Sequence, residues 1–276
     1  MTIVGLLNPG AMGASIGAAA LTNVEDVLWT SEGRSDATRI RAEKAGLTNA
    51  GSFADLVDAS ELILSVCPPA SALELANEVF SLGFKGTYVD CNAIAPEQTR
   101  ALAEIASNKG ARLVDGGIIG GPAWQAAAGT KLWLSGPDIS EVTALFEHSP
   151  LHTGVAGSEI GAASALKMCF AAFTKGSTAL LAAVLAVADK EGVGDALAEQ
   201  WGEAFTIKTK QQVTTNSSKA WRFAGEMEQI AATFDSAGLP GGFHEAAADV
   251  FYRLSEFKDW QSKPAIDDLL QALQSK

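Results

Sequence analysis

One segment constrains the fold more than any other: a short apolar run, then a glycine-rich turn, then a helix pattern built from small residues. Residues 2–7 read as a strand, Asn8-Pro9-Gly10-Ala11-Met12-Gly13 as the turn, and 13–21 as the helix. A turn that opens a helix leaves free N–H groups pointing at whatever lies before it, and a residue without a Cβ lets the backbone come close to that group. The chemistry suits an anion, and the strand–turn–helix order is that of the G-x-G-x-x-G turn that seats a dinucleotide pyrophosphate. Gly10 and Gly13 supply the close approach and the helix–strand packing, and Gly17 lets the helix lie near the sheet. Asn8 stands where the pattern has its first glycine. Asn tolerates left-handed backbone angles better than most residues, so the departure is mild.

The pattern that follows is alternating. Strand-like runs at 27–30, 62–66, 88–92, 113–115 and 131–135 are separated by helical patterns at 37–45, 70–80, 96–108 and 140–147. Such alternation predicts a mainly parallel sheet with helices on both faces. Beyond about Gly154 the strands stop. Residues 157–192, 194–214, 219–236, 243–257 and 265–273 read as helices, with a break at Gly238-Leu239-Pro240-Gly241-Gly242. The expected architecture is a doubly wound α/β Rossmann domain over residues 1–155 and an all-α domain over 156–276.

Length and composition fit two ordinary globular domains with ample core: 276 residues, 47% hydrophobic and 19% charged. A net charge of -12 argues against a nucleic-acid or anionic-membrane binder, although an anionic cofactor can still bind through local donors. Cys67, Cys91 and Cys169 are widely spaced, which fits reduced thiols in a cytoplasmic protein without a disulfide framework. No targeting segment or metal-ligand spacing is expected. The apolar stretch 160–187 contains Lys167 and Lys175 and is read as a buried helix, not a membrane span.

The second strand sets the choice of dinucleotide. It is followed by Ser31-Glu32-Gly33-Arg34-Ser35. An acidic residue at this strand end bonds a ribose 2′-hydroxyl, whereas a nearby Arg accommodates a 2′-phosphate. Ser31, Arg34 and Ser35 offer two hydroxyls and one planar cation, with Arg39 and Arg41 adding field, and favour NADP. Glu32 lies near the spacing of an NAD-type carboxylate and keeps NAD open as the alternative.

At this point the chain resembles the 3-hydroxyisobutyrate dehydrogenase and 6-phosphogluconate dehydrogenase superfamily over nearly its whole length. The turn from Asn8 to Gly13 is similar to that family's Gly-Leu-Gly-x-Met-Gly start. Val66-Cys67-Pro68-Pro69 resembles the loop over the nicotinamide ribose, which implies cofactor contacts at Cys67, Pro68 and Asn92. Asp90-Cys91-Asn92-Ala93-Ile94-Ala95-Pro96 resembles Asp-x-Ser-Thr-x-x-Pro. Residues 115–121, Asp115-Gly116-Gly117-Ile118-Ile119-Gly120-Gly121, resemble the Asp-Ala-Pro-Val-Ser-Gly-Gly substrate loop, and 157–167 the entry to a long helix that ends in the family's Lys. The run from Trp221 to Ala231 looks like a branch whose helical domain has no known function. The resemblance implies a homodimer built by the helical domain, and substrate contacts at Ile119, Gly120, Gly121, Ser164 and Phe170. Three departures stand out: Ile119 replaces a loop Ser, Phe170 replaces the Asn of Lys-x-x-Asn, and Asn92-Ala93 replace Ser-Thr. They exchange polar anchors for apolar surface.

Lys167 is the expected acid/base. Hydride addition to a carbonyl leaves an alkoxide that needs a proton, and a buried lysine, its ammonium disfavoured by desolvation, can supply one. Ser164, three residues earlier, shares its helical face and is expected to orient substrate or amine. Trp221, Met227 and Phe170 line a pocket or, more simply, fill a core; Lys175, Glu226 and His244 are weaker polar candidates. The resulting expectation is an NADP-dependent oxidoreductase that interconverts a hydroxyl and a carbonyl on a small to medium substrate. The alternatives are an NADPH-dependent imine reductase, whose C=N substrate depends less on carboxylate anchors, and a non-catalytic NADP-binding sensor.

Overall fold

The computed structural model describes residues 2–260 and 262–275. The chain forms two compact units, Met1–Lys167 and Met168–Lys276.

The first unit is an α/β domain around one eight-stranded sheet. In chain order the strands are β1 (Ile3–Leu7), β2 (Asp26–Trp29), β3 (Thr48–Asn49), β4 (Leu62–Ser65), β5 (Thr87–Asp90), β6 (Arg112–Ile119), β7 (Lys131–Ser135) and β8 (His152–Gly157). In space they run β3-β2-β1-β4-β5-β6-β7-β8. All neighbours are parallel except β6 and β7, which form an antiparallel pair. This is the doubly wound order, and its reversal point lies between β1 and β4, beside which such folds bind ligands at the carboxyl ends of the strands. Strand alternation feeds two cores. Val4, Leu6, Leu62, Leu64, Val89 and Val114 pack on one face with helix α1 (Ala11–Ala20) and α6 (Ser140–Leu145). Ile63, Tyr88 and Leu113 pack on the other with α3 (Phe53–Ala59), α4 (Pro69–Ser81) and α5 (Pro96–Asn108). Helix α2 (Asp36–Lys44) is mostly exposed.

Besides the two-residue β3, three features of this unit differ from the sequence expectation. β6 is eight residues long and not three, because Gly116 and Gly117 interrupt its apolar pattern without interrupting the strand. A Cβ on Gly117 would lie 2.6 Å from the Ala163 carbonyl oxygen, so the glycine marks a close backbone approach. β8 continues past residue 154. It is an edge strand with a mostly exposed or half-buried sequence, which gives no hydrophobic signal. Helix α3 is short but carries a capping box between Ser52 and Asp55, a signal present in the sequence.

The second unit is helical. The long helix α7 (Ala162–Lys190) enters it and is followed by α8 (Gly194–Trp201), α9 (Glu203–Ser217), α10 (Ala220–Ser236), α11 (Gly242–Arg253), a 3-10 turn (Leu254–Asp259) and α12 (Ile266–Gln274). The expected single helix over 194–214 is two, split at Gly202, whose φ of 79° lies in the left-handed region. Met227, Ile230 and Phe251 centre the core, with Phe223 stacked edge-on against Phe251. α7 is long and apolar enough to cross a bilayer by length and composition, and 39% of its most apolar stretch is buried in the protein. It is therefore buried on one side and not all round, where the sequence expectation was a buried helix. Phe173, Leu180 and Val187 remain 75%, 49% and 61% exposed.

Candidate nucleotide and proton-transfer site

The turn after β1 is shaped by two glycines with opposite surroundings. Asn8 adopts φ 69°, and the Gly10 N–H donates to its carbonyl at 2.7 Å. A Cβ on Gly13 would sit 2.3 Å from that same carbonyl oxygen, so position 13 admits glycine alone without moving the turn. A Cβ on Gly10 would meet nothing within 4 Å. The protein leaves that space open directly before α1, and no side chain caps the helix. Pro9 is buried, Met12 half-buried and Ala11 exposed. Open space bounded by helix N–H groups is a cradle that fits a pyrophosphate.

The segment after β2 leans onto this turn. Arg34 Nη1 donates to the Asn8 side-chain carbonyl, and Arg41 Nε donates to the Pro9 carbonyl at 3.5 Å. Arg34 Nε is buried without a partner in the structure. Arg39 Nη2 reaches the Ser31 carbonyl at 3.5 Å, and Ser31 Oγ accepts from Asn49 Nδ2 at 3.1 Å. Ser35 caps α2, accepting from the Thr38 N–H. Glu32 is exposed, and the residue next to the end of β2 is Thr30, whose hydroxyl donates to the Gly51 carbonyl. The strand end thus carries no carboxylate, and its surroundings hold three guanidinium groups.

The carboxyl ends of β4 and β5 are tied together by one side chain. Asn92, 3% exposed, accepts from the Cys67 N–H at 2.6 Å and donates to Ser65 Oγ at 2.9 Å and to Asp90. Its amide is fully engaged, so it fixes the Cys67-Pro68 loop from beneath. Burial pushes the half-buried Cys67 thiol up to about 12, which keeps it protonated. Asp90 is pushed up to about 7 by burial and by the Asp115 carboxylate, and its Oδ2 has no partner.

The start of α7 rests on Asp115. Its Oδ2 accepts from the N–H groups of Gly161, Ala163 and Ser164 at 2.9–3.1 Å and from the Ser135 hydroxyl at 2.8 Å, and Oδ1 accepts from the Ser164 hydroxyl at 2.6 Å. A carboxylate at a helix N-terminus is favoured by the dipole as well as by these bonds. Ser164 is 1% exposed, with Thr99 Oγ1 2.9 Å from its hydroxyl. The expectation that it orients a substrate meets a hydroxyl already engaged inside the protein. Asp115, Thr99 and Ser135 carry this junction, and none was singled out from the sequence as a site residue. The signal available was an Asp followed by two glycines, which the structure places in the middle of β6. One helical turn on, Lys167 is half-buried and its Nζ donates to the Ile118 carbonyl at 2.6 Å. The amine therefore sits at the carboxyl end of β6, on the edge of the sheet from which the phosphate turn and the Cys67-Pro68 loop also emerge. Ile119 is half-buried there. Gly120 and Gly121 are exposed, and Gly120, at φ 131°, has no room for a Cβ against Thr130.

In the helical unit the remaining candidates separate. Lys175 pairs with Glu226, both side chains 16% exposed, and lies over the Phe223 ring at 4.7 Å. That is a structural ion pair. Met227 is core, whereas Trp221 and Phe170 are exposed. His244 is buried among Phe234 and Phe243, its Nδ1 lacks a partner, and burial lowers its pKa.

Residues 2–149 match the family model of the NAD binding domain of 6-phosphogluconate dehydrogenase, and residues 188–254 match a domain of unknown function (DUF1932). The chain is 33% identical over 168 residues to an uncharacterized 28.5 kDa protein from the 7S RNA 5′ region of Methanothermus fervidus. That match covers 61% of this chain and 64% of the relative's length. Among solved structures, a conserved protein of unknown function with structural similarity to 3-hydroxyacid dehydrogenases is 26% identical over 93% of this chain and 98% of its own, with a TM-score of 0.67. Mycobacterium tuberculosis 3-hydroxyisobutyrate dehydrogenase aligns over the whole of both chains at 16% identity and a TM-score of 0.68. An imine reductase from Streptomyces aurantiacus aligns over 99% of this chain and 100% of its own at 17% identity and a TM-score of 0.56. The chain belongs to the family defined by the NAD-binding domain of 6-phosphogluconate dehydrogenase.

Proposed function

We propose that the protein is an NADP-linked oxidoreductase that interconverts a hydroxyl and a carbonyl group on a small to medium substrate, in the manner of a 3-hydroxyacid dehydrogenase. One observation carries the reading: the Lys167 amine is held at the carboxyl end of β6, on the ligand-binding edge of a sheet whose β1 turn is open at Gly10. A bound nicotinamide supplies or accepts hydride. The turn from Asn8 to Gly13 holds the pyrophosphate, and Ser31, Arg34 and Ser35 hold the 2′-phosphate. Cys67 and Pro68 border the nicotinamide ribose, with Asn92 fixing their loop from below. Lys167 Nζ gives its proton to the oxygen of the reduced carbonyl and takes one back in the oxidative direction. Asp115 and Ser164 set the position of that amine by anchoring the first turn of α7. Ile119, Gly120 and Gly121 border the substrate. In this reading residues 1–155 bind cofactor, 156–276 serve substrate and homodimer contacts, and the protein works in the cytoplasm.

A second reading, an NADPH-dependent imine reductase, is favoured by the apolar side chain at Ile119, which gives a substrate carboxylate nothing to bind. NADPH oxidation on a panel of aldehydes, keto acids and cyclic imines separates the two. Carbonyl turnover supports the first, and turnover confined to imines supports the second. Tight NADPH binding with no turnover on any compound would leave a cofactor-binding protein without chemistry.

A further inference from the structure

We infer that Asn8 is a specificity-determining positioning residue: its side chain holds Arg34 in place for a 2′-phosphate, so one residue of the pyrophosphate turn sets the preference between the two nicotinamide dinucleotides. The inference rests on the NADP reading above and concerns how that preference is built.

The backbone does not need this side chain. Asn8 sits at φ 69°, a conformation glycine adopts freely, and the turn is closed by main-chain contacts, Gly10 N–H to Asn8 C=O and Gly13 against the same carbonyl. What the asparagine adds is an acceptor, and the structure shows its use: Arg34 Nη1 donates to Asn8 Oδ1, across 26 residues of chain. Arg34 lies in a loop beside Gly33, itself at φ 66°, and its Nε is buried and unpartnered among the described residues. A long side chain on a loop loses rotamer entropy when it binds an anion. An arginine already held by a neutral acceptor has lost part of it beforehand, and its remaining N–H groups stay available for phosphate. A neutral amide suits this role because a carboxylate would cancel the charge that the phosphate needs. The contact also links the two phosphate sites, since the turn that seats the pyrophosphate orients the cation for the 2′-phosphate.

The test compares wild type, Asn8→Gly, Arg34→Ala and the double variant. Dissociation constants are measured for NADPH and NADH by fluorescence titration, and for 2′,5′-ADP, a probe of the phosphate site alone, by calorimetry. Asn8→Gly keeps the turn conformation, and a thermal melt checks that it folds. The expected result is a wild type that prefers NADPH and an Asn8→Gly variant with that preference cut about tenfold while NADH affinity stays within about twofold. In the Arg34→Ala background the Asn8 change has no further effect on the ratio. Equal loss for both dinucleotides, or additive effects in the double variant, overturns the role of Asn8 while leaving the NADP reading intact. A wild type that binds NADH as tightly as NADPH overturns that reading, and the inference with it.

Discussion

The Lys167 amine donates to the main-chain carbonyl of Ile118 at 2.6 Å, so a helix residue is registered against the end of a neighbouring strand. The contact is possible because Gly117 has no side chain: a Cβ there would lie 3.3 Å from Lys167 Cβ as well as against the Ala163 carbonyl. If this amine is the proton donor, Lys167→Ala lowers carbonyl reduction by roughly 10²–10⁴-fold, the span of general acid–base catalysis, and leaves NADPH affinity within about twofold. Steady-state kinetics and a cofactor titration on the same preparation measure both. Near-normal turnover removes Lys167 from the chemistry.

The two turn glycines separate folding from binding. Gly13→Ala places a methyl 2.3 Å from the Asn8 carbonyl and forces the turn to shift. It is expected to lower stability by about 1–3 kcal/mol, the usual cost of overpacking, and to weaken cofactor binding as a consequence. Gly10→Ala meets no protein atom, and its φ of -68° suits alanine. It is expected to melt like wild type and still weaken NADPH by roughly tenfold or more, because the methyl occupies the space proposed for the pyrophosphate. Thermal melts beside titrations decide the matter. A Gly10→Ala variant that binds normally would show that the open space holds something else.

The turn glycines and the lysine are legible in the sequence, and the structural context of the lysine is not. Gly10, Gly13 and Lys167 stand out because a strand, a turn and a helix are each written in local pattern. The anchor under Lys167 is not local: Asp115, Ser135 and Ser164 meet through sheet pairing and helix docking, and nothing in the spacing of 115, 135 and 164 announces it. Asn92 fails in the opposite direction. Its place in a cofactor-loop motif suggests direct contact, whereas burial turns its amide toward Cys67, Ser65 and Asp90. β8 gives no signal in the sequence because an edge strand needs no apolar face, and the composition of α7 does not say which side of the helix is covered.

Asp90 gives the fold a pH dependence whose sign follows from its environment. Its carboxyl is raised from 3.8 to about 7, by burial first and by Asp115 second. Between those values the folded state holds a proton that the unfolded chain releases, so this group's contribution is complete below about pH 4 and lost as pH rises through about 7. Asp90→Asn does not titrate and keeps a carbonyl oxygen where Oδ1 accepts from Asn92. Relative to wild type it is expected to gain about 2–3 kcal/mol of unfolding free energy between pH 5 and pH 7.5. Denaturant unfolding of both proteins at the two pH values tests this. An unchanged difference would mean that Asp90 is ionised throughout.

The exposed side of α7 offers a surface for the proposed homodimer, and its spacing gives the way the copies would meet. Phe173, Leu180 and Val187 recur every seven residues and are 75%, 49% and 61% exposed, with Phe170 and Val184 each three residues before a member of the row. The seven-residue repeat is that of the seam along which two helices pack at a shallow angle, with Ser177 at one of its intermediate positions. Each Phe or Leu side chain taken from water contributes about 1.5–3 kcal/mol, and a two-fold axis counts every one of them twice. The doubly substituted Phe173→Glu, Leu180→Glu chain is therefore expected to sediment as a monomer at micromolar concentrations where wild type sediments as a dimer. Its melting temperature should stay close to wild type, because both positions lie outside the core. A monomeric wild type, or a variant that remains dimeric, would show that this row does not hold two copies together.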